Sequence, residues 1–108
     1  MIVTLTDETF AATIRTSDRP VVVDFWAEWC PPCHALSRTL GELAEEFGDR
    51  LLVAELDVED NPVATQTYGV RAMPTLVLFR DGEVIATMVG NRPKSVLRET
   101  LLGMLAAA

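Results

Sequence analysis

Cys30 and Cys33 are the only thiols of the 108-residue chain, and they stand three positions apart. A secreted mini-protein distributes several cysteines as a disulfide framework, so these two read instead as a local redox or metal pair. They lie in Trp29-Cys30-Pro31-Pro32-Cys33, where an apolar run meets a helical pattern. A helix start presents free N–H groups and a partial positive charge, which stabilise a thiolate. The thiolate is the nucleophile of disulfide exchange. One cysteine of such a pair attacks and the other resolves the mixed disulfide. The first cysteine of such a loop is usually the more exposed, which assigns Cys30 as attacker and Cys33 as resolver. Asp24 is the second anomaly, because a carboxylate inside Val21-Val22-Val23-Asp24-Phe25-Trp26 is costly unless paired or needed. The pattern leaves two readings even. Asp24 is either a buried general base, its pKa raised toward the operating pH, or a structural carboxylate bonded to backbone.

The elements that position these residues follow from periodicity. Residues 2–5 suit a short strand, and Asp7 opens a helix with Phe10, Ala11 and Ile14 inward, which Pro20 breaks. Residues 21–27 read as a central strand buried on both faces. Pro31 and Pro32 punctuate the following loop, and Pro32 suits the first turn of a helix. From Cys33 onward, Leu36, Thr39, Leu40, Leu43, Ala44 and Phe47 recur at helical spacing until Gly48. Residues 51–58 form another strand, and Asn61-Pro62 caps a short helix that Gly69 stops. Thr75–Arg80 and Glu83–Val89 are strands joined by the hairpin signal Asp81-Gly82. Asn91 and Pro93 precede a last helix with Val96, Leu97, Leu101, Met104 and Leu105 inward, and residues 106–108 fray. The order β-α-β-α-β-α-β-β-α implies one α/β domain over residues 1–108, with helices on both faces of a sheet.

Composition narrows the function. The formal net charge of −7 repels phosphate backbones, so nucleic acid is a poor partner. The apolar runs are too short to span a bilayer. The N-terminus lacks a basic region followed by an apolar core, which argues against a signal peptide. There is no glycine-rich phosphate loop, so no bound cofactor is expected. A structural zinc needs four ligands, and two Cys with the single His34 fall short. Cys30-x-x-Cys33-His34 also fits c-type haem attachment. That would need an exported context and room for a porphyrin on a helix start packed against a sheet, so His34 reads as an exposed helix residue. Its charge, when protonated, would act modestly on Cys30.

The run Val23-Asp24-Phe25-Trp26-Ala27-Glu28-Trp29-Cys30-x-Pro32-Cys33 resembles the active-site signature of the thioredoxin family. Asn61-Pro62, Tyr68-Gly69-Val70, Met73-Pro74-Thr75-Leu76, Phe79, Asp81-Gly82-Glu83 and Val89-Gly90 follow in the family's order and spacing. The resemblance implies a thioredoxin fold, a central mixed five-stranded sheet flanked by four helices. It implies a cis peptide bond before Pro74, and a client groove made by Trp29, Pro32, Ala72, Met73, Pro74 and Gly90. Trp26 would be a packing residue. For Asp24 it favours the base that deprotonates Cys33. It further implies a cytoplasmic, monomeric electron carrier whose Cys30/Cys33 dithiol reduces client protein disulfides. A thioredoxin reductase, an NADPH-dependent flavoenzyme, would restore the dithiol. An exported reductase with Cys-Pro-Pro-Cys and a redox-silent binding module are the rival readings. The first usually brings an anchor or an inserted segment, and intact Cys30, Cys33, Asp24 and Pro74 argue against the second. Four positions depart from the family: Pro31 where Gly is usual, His34 where Lys or Arg is common, Arg38 where a kinking Pro is common, and Glu55 where Lys is frequent.

Pro31 generates a test. With prolines at 31 and 32, neither residue offers an N–H to the Cys30 thiolate, and the stiff loop loses less entropy on closing the disulfide. Both effects favour a reducing pair. Pro31→Gly is expected to leave the reduction potential unchanged or more oxidising in a glutathione titration. A clearly more reducing variant rejects this account.

Overall fold

The computed structural model describes residues 2–106. The elements are β1 (Val3–Thr4), α1 (Asp7–Thr16), β2 (Val21–Trp26), α2 (Pro31–Phe47), β3 (Leu52–Asp57), α3 (Pro62–Thr67), β4 (Thr75–Arg80), β5 (Glu83–Val89) and α4 (Lys94–Ala106), with a 3-10 turn at Gly48–Arg50. The expected order holds. One five-stranded sheet runs β1-β3-β2-β4-β5. β3 is parallel to β1 and β2, whereas β4 is antiparallel to β2 and β5, so the sheet is mixed.

β2 sits at the centre, and residues 21–25 are all buried. Its alternate side chains enter two cores. Val22 packs with Leu36, Leu40, Leu43 and Phe47 of α2 and with Leu97 and Leu101 of α4. Val21, Val23 and Phe25 pack on the other face with Phe10 and Ile14 of α1 and Ala64 of α3. This explains the nearly continuous apolar run, broken only by Asp24, because a strand covered on both faces has no polar side.

The Asp81-Gly82 turn has positive φ at both residues, 54° and 81°, as a two-residue hairpin with a primed turn requires. β5 carries one extra residue. Leu78 pairs with Ala86 and Phe79 with Val84, which leaves Ile85 as a bulge.

Several expectations change. β1 keeps only two residues, and β2 and β3 stop one residue inside the expected ends. Ala11 is exposed, because α1 faces the sheet with Phe10 and Ile14 only. Val96 is exposed as well; Leu97, Leu101 and Met104 face inward, with Leu105 partly buried. Ala106 is still helical, and residues 107–108 lie outside the described residues. Pro31 belongs to α2 rather than to the preceding loop, because both prolines fit the first turn.

Asn61 occupies the cap position of α3, but its side chain does not cap the helix. Asn61 Oδ1 accepts from the Asp7 N–H at 2.9 Å, and its Nδ2 donates to Asp57 O at 3.0 Å. The cap comes from Asp7 instead, whose Oδ1 accepts from Ala64 N at 2.8 Å and Oδ2 from Val63 N at 3.1 Å. The exchange ties the starts of α1 and α3 together across more than fifty residues. Asp7→Ala is expected to lower stability by about 1–2 kcal/mol, the range of a lost charged cap. Urea unfolding checks it, and an unchanged midpoint would show that water replaces the carboxylate without loss.

Candidate active site

The last residues of β2 lead through Ala27, Glu28 and Trp29 to Cys30, the N-cap of α2. Cys30 and Cys33 form a disulfide, with Cα atoms 5.2 Å apart. Cys30 O accepts from Cys33 N at 3.0 Å and His34 N at 3.3 Å, while Cys30 N donates to Ala27 O at 3.2 Å. Both cysteines are buried, Cys30 at 4 % exposure and Cys33 at 1 %. The expected contrast in exposure between them is therefore slight in the oxidised pair. They pack with Ala27 against Trp26, Val58 and Met73.

The prolines supply no donor to Cys30, as expected, but the first turn still does. Cys33 N donates to Cys30 Sγ at 3.3 Å. A thiolate at Cys30 would meet that N–H and the positive end of the 17-residue α2. This donor was legible only once the prolines were placed at the first two helical positions.

Met73 and Pro74 arrive on the segment before β4. Their peptide bond is cis, and Met73 O lies 3.7 Å from Cys30 Sγ. Gly90 N, just past β5, donates to Pro74 O at 2.8 Å. Gly90 has φ 89°, and a Cβ there would stand 3.2 Å from Arg92 Nη1, so a side chain would be both strained and crowded. Trp29 is 62 % exposed and its Nε1 donates to Glu59 Oε1 at 2.7 Å. Pro32 and Ala72 are exposed, Met73 and Gly90 half-buried and Pro74 buried. Sequence reasoning missed Glu59, which lies 30 positions from Trp29 in the turn after β3 and carries no local signal.

Asp24 is 1 % exposed, and neither carboxylate oxygen has a hydrogen-bond partner. The backbone-bonded reading of Asp24 therefore has no bond to rest on. Asp24 pairs in register with Glu55 on the parallel neighbour β3, so both carboxylates leave the sheet on one face. Burial, with Glu55 adding repulsion, pushes Asp24 from 3.8 up to about 7. Burial also raises Glu55. A carboxyl that titrates near neutrality can accept and return a proton at working pH.

His34 is exposed, but it is not idle. Its Nε2 lies 2.8 Å from Glu28 O, and its ring stands edge-on to Trp26 at 6.0 Å. Among the described residues, no three His, Cys, Asp or Glu side chains are grouped to hold a metal. No helix of the described residues is long and apolar enough to cross a membrane.

The Thioredoxin family model matches residues 1–102. The chain is 45 % identical over 98 residues to a thioredoxin of Bacillus subtilis, covering 91 % of this chain and 92 % of that one. It is 44 % identical over 95 residues to a thioredoxin of Rhodospirillum rubrum, covering 88 % and 91 %. It is 42 % identical over 102 residues to a thioredoxin of Alicyclobacillus acidocaldarius, covering 94 % and 96 %.

Asp24 gives a signed prediction. Its folded pKa lies above its unfolded value, so the native state holds a proton that the unfolded chain has released. Stability therefore falls as pH rises from about 4 and levels off above about 7. Asp24→Asn removes that loss and is expected to stabilise the protein at pH 7 by on the order of 3 kcal/mol, while slowing turnover. A destabilised Asn variant with unchanged turnover would make Asp24 structural. Glu55→Lys is expected to move the pH profile of turnover downward, and a profile that stays in place would uncouple the two carboxylates.

Proposed function

The chain belongs to the thioredoxin family, and on that premise we propose how its residues divide the work. Membership makes it a thiol–disulfide oxidoreductase, a reductase of client protein disulfides that a reductase partner returns to the dithiol. The observation that carries the assignment of roles is the Cys30–Cys33 disulfide at the start of α2, beside the Met73-Pro74 segment.

In this reading the Cys30 thiolate attacks one sulfur of a client disulfide. A mixed disulfide forms, and the client's other sulfur leaves as a thiolate and takes a proton. Asp24 then accepts the proton of Cys33, and the Cys33 sulfur attacks Cys30 Sγ. The second client sulfur leaves, and the Cys30–Cys33 disulfide closes. Two electrons have passed to the client, and the reductase must return two. The catalytic residues are Cys30, Cys33 and Asp24. Trp29, Pro32, Ala72, Met73, Pro74 and Gly90 form the groove, where an extended client segment adds a strand to the Met73 backbone.

The reductase is an NADPH-dependent flavoenzyme, and the site of action is the cytoplasm, where thiols are held reduced. In this reading the protein works as a monomer. A single thioredoxin domain spans residues 1–108, supported by a sheet that draws on all segments from β1 to β5. The redox-active Cys30–Cys33 disulfide carries the electrons, and the reading calls for no bound cofactor.

Cys30→Ser is expected to abolish disulfide reduction. Cys33→Ser is expected to accumulate mixed disulfides with clients, visible on non-reducing gels, because attack survives and resolution does not. Trapping by the Cys30→Ser protein alone would reverse the two roles.

A further inference from the structure

We propose that His34 is a positioning residue for Cys30, fixing the turn that carries the attacking sulfur to the first turn of α2. The inference rests on reading Cys30 as the attacker. Glu28 O can only accept, so the His34 Nε2 that lies 2.8 Å from it carries the proton and donates. The imidazole is braced on its other side, edge-on to Trp26 at the end of β2. A side chain one residue past Cys33 thus reaches back over the reactive turn and holds the backbone two residues before Cys30.

That turn has few other ties. Glu28 and Trp29 are both exposed. The Trp29 side chain is held by Glu59 at 2.7 Å, and Cys30 N is held by Ala27 O. The tie at Glu28 falls to His34. The turn matters because residues 31 and 32 lack N–H groups, which leaves Cys33 N, 3.3 Å away, as the helix-start donor to Cys30 Sγ. With this one donor, the stability of the thiolate depends on where the turn places the sulfur. Releasing Glu28 O lets the turn drift and lengthens that bond. The thiolate is then less favoured and its attack is less well aligned.

The test uses the reduced full chain carrying Cys33→Ser, which leaves one thiol and keeps the residue 33 N–H. His34→Ala, His34→Gln and His34→Lys are compared with His34. The readouts are the pH titration of thiolate ultraviolet absorbance and the rate of attack on a small aromatic disulfide. His34→Ala is expected to raise the thiol pKa and slow attack by about 3- to 10-fold, a misalignment effect. His34→Gln, whose amide N–H can reach the same carbonyl, is expected to restore most of both. His34→Lys, which returns charge without that geometry, is expected not to. An unchanged Ala variant overturns the proposal. So does recovery by Lys without Gln, which would make charge the active property. Loss of urea stability in Ala with no recovery of the thiol by Gln would also overturn it, leaving only a structural role. The small disulfide needs no client groove. If Cys33→Ser traps no client while this series behaves as expected, the client reading fails and the positioning of Cys30 stands.

Discussion

A strand buried on both faces runs, through a short turn, into a helix start, and the reactive sulfur sits at that joint. β2 is hydrogen-bonded to β3 on one side and β4 on the other, and its side chains are locked into two cores. A one-residue slip would send every side chain to the wrong face, so the register is rigidly specified. The end of β2 is therefore a fixed point. α2 is anchored independently by Leu36, Leu40, Leu43 and Phe47. The turn of residues 27–30 between them is thereby fixed at both ends, and its exposed middle, Glu28 and Trp29, is held by the side chains of His34 and Glu59.

The same strand carries a group that works against the fold, Asp24. A carboxylate with no hydrogen-bond partner, buried beside a second carboxylate, opposes folding whenever it ionises. Sheet pairing and the two cores must outweigh it. Placing Asp24 on β2 gives it the rigid backbone of the sheet's centre, and burial holds its titration near neutrality. With Asp24 as the proton acceptor proposed above, stability and proton transfer make opposite demands on one side chain, and neutral pH is where the two meet.

Much of this architecture was legible in the chain itself. The element order, the double-sided burial of β2 and the Asp81-Gly82 hairpin rest on local periodicity and turn chemistry, which act over a few residues. Cys30, Cys33 and Asp24 stood out because their types clash with their surroundings. The resemblance to a known family supplied the cis bond before Pro74, since sequence physics gives no local cue for it. What the sequence hid were pairings between distant segments. Asp7 replaces Asn61 as the cap of α3, and Glu59 holds Trp29. Ala11 and Val96 show a subtler miss. Both are apolar at helical spacing, but a helix packed on a sheet buries a narrower stripe than the pattern offers.

The bulge at Ile85 has a bearing on how the protein behaves in a crowd. β5 is an open margin of the sheet, with Val84, Ile85 and Val89 exposed along seven residues whose only charge is Glu83 at one end. An open, apolar margin is a template for stray chains, whose own strands can stack onto it and seed aggregates. The extra residue bends and twists that margin, so an incoming strand falls out of step within a few residues. The opposite margin, β1, offers only Val3 and Thr4, too short to hold a guest. A protein whose work is to meet other chains at their disulfides thereby presents no long regular edge for them to stack on.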